Sequence, residues 1–150
     1  MNKYIITLVF ALFMCSSCTE DPSVDPSIMP PATTEGANTF GCLMDGWIYA
    51  GGRYGKPAAR YFPGDGEEEE YIHIEVCTDE EEYIFLRIVR PSETDTPVYT
   101  DAKYIYKHEE KALPDGVVHL TRFDKDKKIV SGTFEGGNIR EGRFDIYFGY

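Results

Sequence analysis

The sequence predicts an all-β domain: a single antiparallel β-sandwich of about eight or nine strands, with a small closed β-barrel as the alternative. Three observations predict it. Apolar and polar residues alternate with a period of two along YIHIEVCT and YIFLRIVR, which is the pleat of a half-buried strand. Turn formers recur between the apolar runs, with 14 Gly and 9 Pro in 150 residues. No segment of helix length carries apolar residues at three-to-four spacing.

Each element has its own signal. In TFGCLMDGWIYA, residues 39–50, Asp45-Gly46 separates two strand-like runs. That dipeptide suits a type I′ hairpin, whose two central residues need positive φ. Met44 then lies opposite Trp47 and Cys42 opposite Tyr49, so Phe40, Cys42, Met44, Trp47 and Tyr49 share one face, expected to be core. Residues 51–70 are punctuated by glycines and prolines, leave room for a short strand over 58–62, and end in the acidic run 67–70. The strongest hairpin covers 70–90, with its tip at 79–81. It aligns Val76 with Ile84, Ile74 with Leu86 and Ile72 with Ile88 on an aliphatic core face. Cys77 then faces Tyr83, and His73 faces Arg87, on a mixed face expected to be half exposed. Beyond Pro91 a turn-rich connection leads to a short strand over 103–108. Leu113-Pro114-Asp115-Gly116 is a turn. Strands follow over 117–124 and 129–135, joined across 125–128, and over 143–148, where Phe144, Ile146 and Phe148 share a face.

The N-terminus reads differently. Lys3 precedes an apolar run from Tyr4 to Met14, followed by Ser16-Ser17-Cys18. The run is too short to span a bilayer and fits the core of an export signal. The segment resembles a bacterial lipoprotein signal, in which a cysteine after small residues carries the lipid. Cys18, behind two serines, fits that place; Cys15, behind Phe13 and Met14, does not. The usual leucine three residues before the anchor is replaced by Cys15. Ordinary cleavage leaving a free thiol is the alternative. The expected organisation is a signal over 1–17, the lipidated Cys18 with a flexible Pro-rich linker over 18–38, and a β domain over 39–150. The linker TEDPSVDPSIMPPATTEGAN leans to extended conformations and could reach about 60 Å at ~3.1 Å per residue.

Composition narrows the function classes. Twenty-six acidic residues stand against 15 basic ones, a net charge of −11. The expectation drawn from this charge is that nucleic acid is not a partner, because phosphate contact needs a basic face. Cys42 and Cys77 are a candidate disulfide in an oxidising compartment. Two unpaired thiols are the preferred alternative, because Cys is often a small core residue.

The opening TFGCLMDG and the closing pair IVSGTFE…EGRFDIYF resemble the TFGCLVNG-type opening and ISGTFE…GRFD ending of small Bacteroidetes-type surface lipoproteins with a C-terminal domain of unknown function. CTED after the anchor looks like their export tag. The resemblance implies an outer-membrane lipoprotein exposed at the cell surface, and implies no catalytic residues.

Chemistry-bearing constellations are sparse. His73, His108 and His119 lie on separate strands without the short spacing of a zinc site. The acidic runs 65–70 and 79–82 lack the ligand order of a calcium loop, so no metal and no cofactor is expected. No G-x-S-x-G elbow is present, and an enzyme is not expected. Trp47, Tyr49, Tyr54 and Tyr61 surround a glycine-rich segment and are the candidate ligand-binding residues, through stacking on sugar rings. The resulting expectation is a lipid-anchored envelope module that binds a ligand or glycan. A protein-interaction or scaffold lipoprotein is the alternative, and a hydrolase ranks last. Its expected partners are the membrane, through the anchor, and a glycan or envelope protein.

Overall fold

The structure, a computed structural model, describes residues 25–92, 98–106 and 108–150, with the backbone alone at 98–101 and 106. The expected signal, Cys15 and Cys18 lie outside the described residues. Ten strands follow in order: β1 Thr39–Met44, β2 Trp47–Ala50, β3 Ala58–Phe62, β4 Tyr71–Asp79, β5 Glu82–Val89, β6 Val98–Tyr106, β7 Glu109–Leu113, β8 Val117–Asp124, β9 Ile129–Gly136 and β10 Ile139–Gly149. No helix occurs among the described residues, so the all-β reading holds.

The strands form one mixed sheet in the order β2-β1-β10-β3-β4-β5-β6-β8-β9, with β7 beside β6 and β9 also paired to β10. It folds into two layers. One holds β2, β1, β10, β9 and β8; the other holds β3 to β7. The layers meet at two narrow corners. At one, Phe148 and Gly149 of β10 pair with Ala59 and Arg60 of β3; at the other, Val98 and Tyr99 of β6 pair with Val118 and Val117 of β8. Joins this short leave a folded-over sheet, not an evenly closed barrel. The β10–β3 pair is parallel, whereas an antiparallel sandwich was expected. No hairpin ties these two distant segments, so nothing local dictates their direction.

The hairpin registers follow the sequence. Met44 pairs with Trp47 and Cys42 with Tyr49, and Asp45 and Gly46 take φ of 52° and 83°, as a type I′ turn requires. Ile72, Ile74 and Val76 pair with Ile88, Leu86 and Ile84, and all six are fully buried. Each contributes about 1.5–3 kcal/mol by leaving water. Strand β7 is the element the sequence does not announce: EEKAL has no apolar alternation, and four of its five residues are exposed. It is an outer strand held by backbone pairing to β6.

Two expectations of burial and order change. Trp47 shares a face with buried Met44 but is 75% exposed; it is the first residue of β2, a four-residue strand at the edge of the sheet. Residues 33–37, expected within a flexible linker, are fixed to β10. The Asp145 carboxylate, 1% exposed, accepts from the Thr33 hydroxyl at 2.6 Å, the amides of Glu35, Gly36 and Ala37 at 3.0, 2.8 and 3.0 Å, and the Ser131 hydroxyl at 2.6 Å. Burial acts to raise its pKa. The amide of Ala37, the hydroxyls of Ser131 and Thr33 and the amide of Gly36 together outweigh burial and hold it at about 2, against the usual 3.8.

The closing sequence signature has a packing explanation. Phe144 pairs with Gly132, and Phe134 with Gly142. A Cβ on Gly142 would stand 2.5 Å from the Phe134 carbonyl oxygen and 2.6 Å from its ring; one on Gly132 would stand 2.4 Å from the His119 carbonyl oxygen of β8 and 3.0 Å from the Phe144 ring. Gly142 makes room for the phenylalanine opposite, and Gly132 for the β8 backbone as well as the Phe144 ring.

Two outcomes are expected. Asp145→Ala should lower stability by about 3–5 kcal/mol in urea denaturation at pH 7, because it strips a common acceptor from five donors, of which the Gly36 amide and the Ser131 hydroxyl are buried and the other three part-buried. The folded pKa lies below the unfolded one, so the carboxylate's contribution of roughly 2–3 kcal/mol is complete above about pH 4. It is lost as the pH falls toward 2, and the gap between wild type and variant should narrow over that window. Gly142→Ala should cost about 1–3 kcal/mol by overpacking, read as a lower Tm.

Candidate functional site

The four aromatic residues singled out from the sequence are not gathered into one surface. Trp47 projects from the β1–β2 tip. Tyr49 is half-buried and meets Tyr104 edge-on at 6.4 Å. Tyr54 lies in the β2–β3 loop with Arg53 over its ring at 5.8 Å. Tyr61 is buried at 4% exposure among Phe123, Phe148 and Tyr150. Its hydroxyl donates to Glu70, which also accepts from Lys125 at 3.0 Å. Burial and then the bond to Glu70 raise its pKa. A ring so enclosed offers no stacking surface. Cys42 is buried in the core, where burial pushes its thiol up to about 12. Cys77 lies on the opposite, outward face beside Tyr83 and donates to the Asp79 carbonyl at 3.0 Å. Cys42 and Cys77 are not bridged to each other.

The outward face of β3 to β6 does gather rings. Alternation that sends Ile72, Ile74, Ile84 and Leu86 inward sends Tyr71, His73, Tyr83 and Phe85 outward. Phe62 stacks on Tyr71 at 4.6 Å and 17°. His73 stacks on Phe85 at 5.7 Å and 15°, and Tyr83 on Phe85 at 6.1 Å and 23°. Cations lie among the rings: the Arg87 guanidinium is 4.3 Å from the Tyr71 centroid, and Lys103 Nζ is 5.7 Å from that of Phe85. Arg60 flanks His73 on β3, and Arg87 flanks it on β5. Carboxylates are present too. Glu75 pairs with Phe85 in register, and Glu110 accepts from Lys103 at 3.2 Å.

This face opens into a cleft of about 690 Å³. Its floor is Tyr71, His73 and Phe85, its lining carries the cations Arg87 and Lys103 and the carboxylates Glu110 and Asp115, and the β7–β8 corner at Leu113, Pro114 and Asp115 forms one wall. Burial lowers the His73 pKa below 6.5; Glu75 opposes this, while Lys103, Arg60 and Arg87 add to it. At neutral pH the ring is therefore an uncharged stacking surface. Sequence reasoning missed this site by following aromatic density around the glycines. The usable signal was the composition of the outward set at 71, 73, 83, 85 and 87, which holds rings and basic groups where a plain solvent face would hold small polar residues.

No family model matches the chain, and no solved structure matches it. A curated relative, the pre-rRNA-processing protein esf2 of Schizosaccharomyces pombe, is 32% identical over 83 residues, 52% of this chain. The chain spans about a quarter of that protein's length, 25%. This finding corrects two expectations: the lipid-anchored envelope module binding a glycan or envelope protein, and the exclusion of nucleic acid. The exclusion took net charge as a property of every face. Contact with a strand is made by one face, and here Arg60, Arg87 and Lys103 converge on one.

The chain has a single tryptophan, and it lies outside the cleft. Trp47 emission is expected at a solvent-exposed wavelength, with efficient acrylamide quenching. Blue-shifted, protected emission would contradict the placement of the β1–β2 tip.

Proposed function

We propose that this domain is a non-enzymatic binding module, and that the outward face of β3 to β6 takes single-stranded RNA. The observation that carries the reading is the joining of parallel rings and cations in one cleft: His73 on Phe85, Arg87 over Tyr71, and Lys103 beside Phe85. A sheet face with half-exposed rings offers unstacked bases a π surface. Neighbouring Arg and Lys meet the phosphates between them. The partial likeness to a pre-rRNA-processing protein supports the same ligand class. Duplexes are disfavoured, since their bases are already stacked and the acidic remainder of the surface would oppose a long rigid polyanion.

Fluorescence anisotropy with a short labelled single-stranded RNA tests the proposal. Binding is expected to weaken with salt, with a log–log slope of about 2 if three cations each neutralise one phosphate. Phe85→Ala should weaken it by about 1–3 kcal/mol, the range for one stacked base. The variant should keep the wild-type Tm within a few degrees, because Phe85 points outward. Absence of salt-dependent binding, or equal affinity in the variant, would overturn the reading.

A further inference from the structure

We infer that Glu110 occupies the place of a ligand phosphate on Lys103 and so sets the affinity of the cleft. The inference rests on the RNA-binding reading above and names the contact that the ligand must displace.

The geometry is cross-strand. Lys103 on β6 and Glu110 on β7 both border the cleft. Ala112, not Glu110, is the residue paired with Lys103; Glu110 pairs with Ile105. The Glu110 carboxylate therefore reaches diagonally to Lys103 Nζ, 3.2 Å away. The ammonium is also 5.7 Å from the Phe85 centroid. A carboxylate oxygen thus sits on a cation beside a stacking ring, where the phosphate of a nucleotide with its base on Phe85 would sit. Both side chains keep solvent access, at 43% and 58%, so the pair is an exposed one whose exchange for another oxyanion costs little. Strand β7 is an outer strand with four exposed residues, so Glu110 can swing away without disturbing the core.

The test is an anisotropy titration of labelled single-stranded RNA against the full chain and four variants. Glu110→Gln should tighten binding about two- to fivefold, the range for releasing an exposed ion pair, and should steepen the salt slope. Glu109→Gln, which removes the same charge one residue away, should have a smaller effect. Lys103→Ala should weaken binding. The double variant should match Lys103→Ala, because Glu110 then has nothing to mask. Binding by wild type with no gain in Glu110→Gln, or an equal gain in Glu109→Gln, would overturn the inference and leave the cleft reading standing. No binding by any protein would overturn both.

Discussion

The buried carboxylate of Asp145 is the constraint on which the rest of the structure depends. A charge at 1% exposure is tolerable only if its lone pairs are met, and five donors meet them. Three of those donors are consecutive amides of residues 35–37, which belong to no strand. The interaction is reciprocal: the carboxylate is kept charged by the segment, and the segment's amides are satisfied by the carboxylate. Arg122 and Tyr147 add contacts to the carbonyls of Thr34 and Glu35, at 2.5 and 3.4 Å. What is pinned is β10, the strand that pairs with β1, β9 and β3 and runs from one layer into the other. With β10 in place, β3 is positioned, and β4 and β5 are registered from it.

The Ser-Gly-Thr-Phe-Glu and Gly-Arg-Phe-Asp segments are the two sides of this arrangement. Ser131 and Asp145 form its polar bond, while Gly132 with Phe144 and Gly142 with Phe134 form its apolar interlock. A signature with so complete a structural reason says little about chemistry. The residues that bear on binding lie in the other layer, on strands whose inward positions are aliphatic and whose outward positions carry rings and cations. One hairpin thereby contributes to both the core and the cleft floor.

Electrostatics shows the limit of averaging. A net charge of −11 describes solubility and long-range repulsion. It does not describe a face a few residues across, where contacts fall within a Debye length. Arg60, Arg87 and Lys103 are far apart in sequence and adjacent in space, and together with burial they push His73 toward its neutral form.

The sequence by itself determined what is local. Period-two alternation specified the strands, the Asp45-Gly46 pair specified a hairpin, and the 70–90 register followed from matching aliphatic positions; each depends on neighbours a few residues apart. The tertiary structure decided what depends on distant segments. EEKAL became a strand only because β6 offered a partner edge. Trp47 became exposed at the start of a short edge strand, although Met44 beside it is buried. Residues 33–37 became ordered because a carboxylate more than a hundred residues later met their amides. The cleft belongs to this second class: its rings were visible in the alternation of β4 and β5. Their company with Arg60, Lys103 and Glu110 arises from pairing across β3 to β7, which no local pattern encodes.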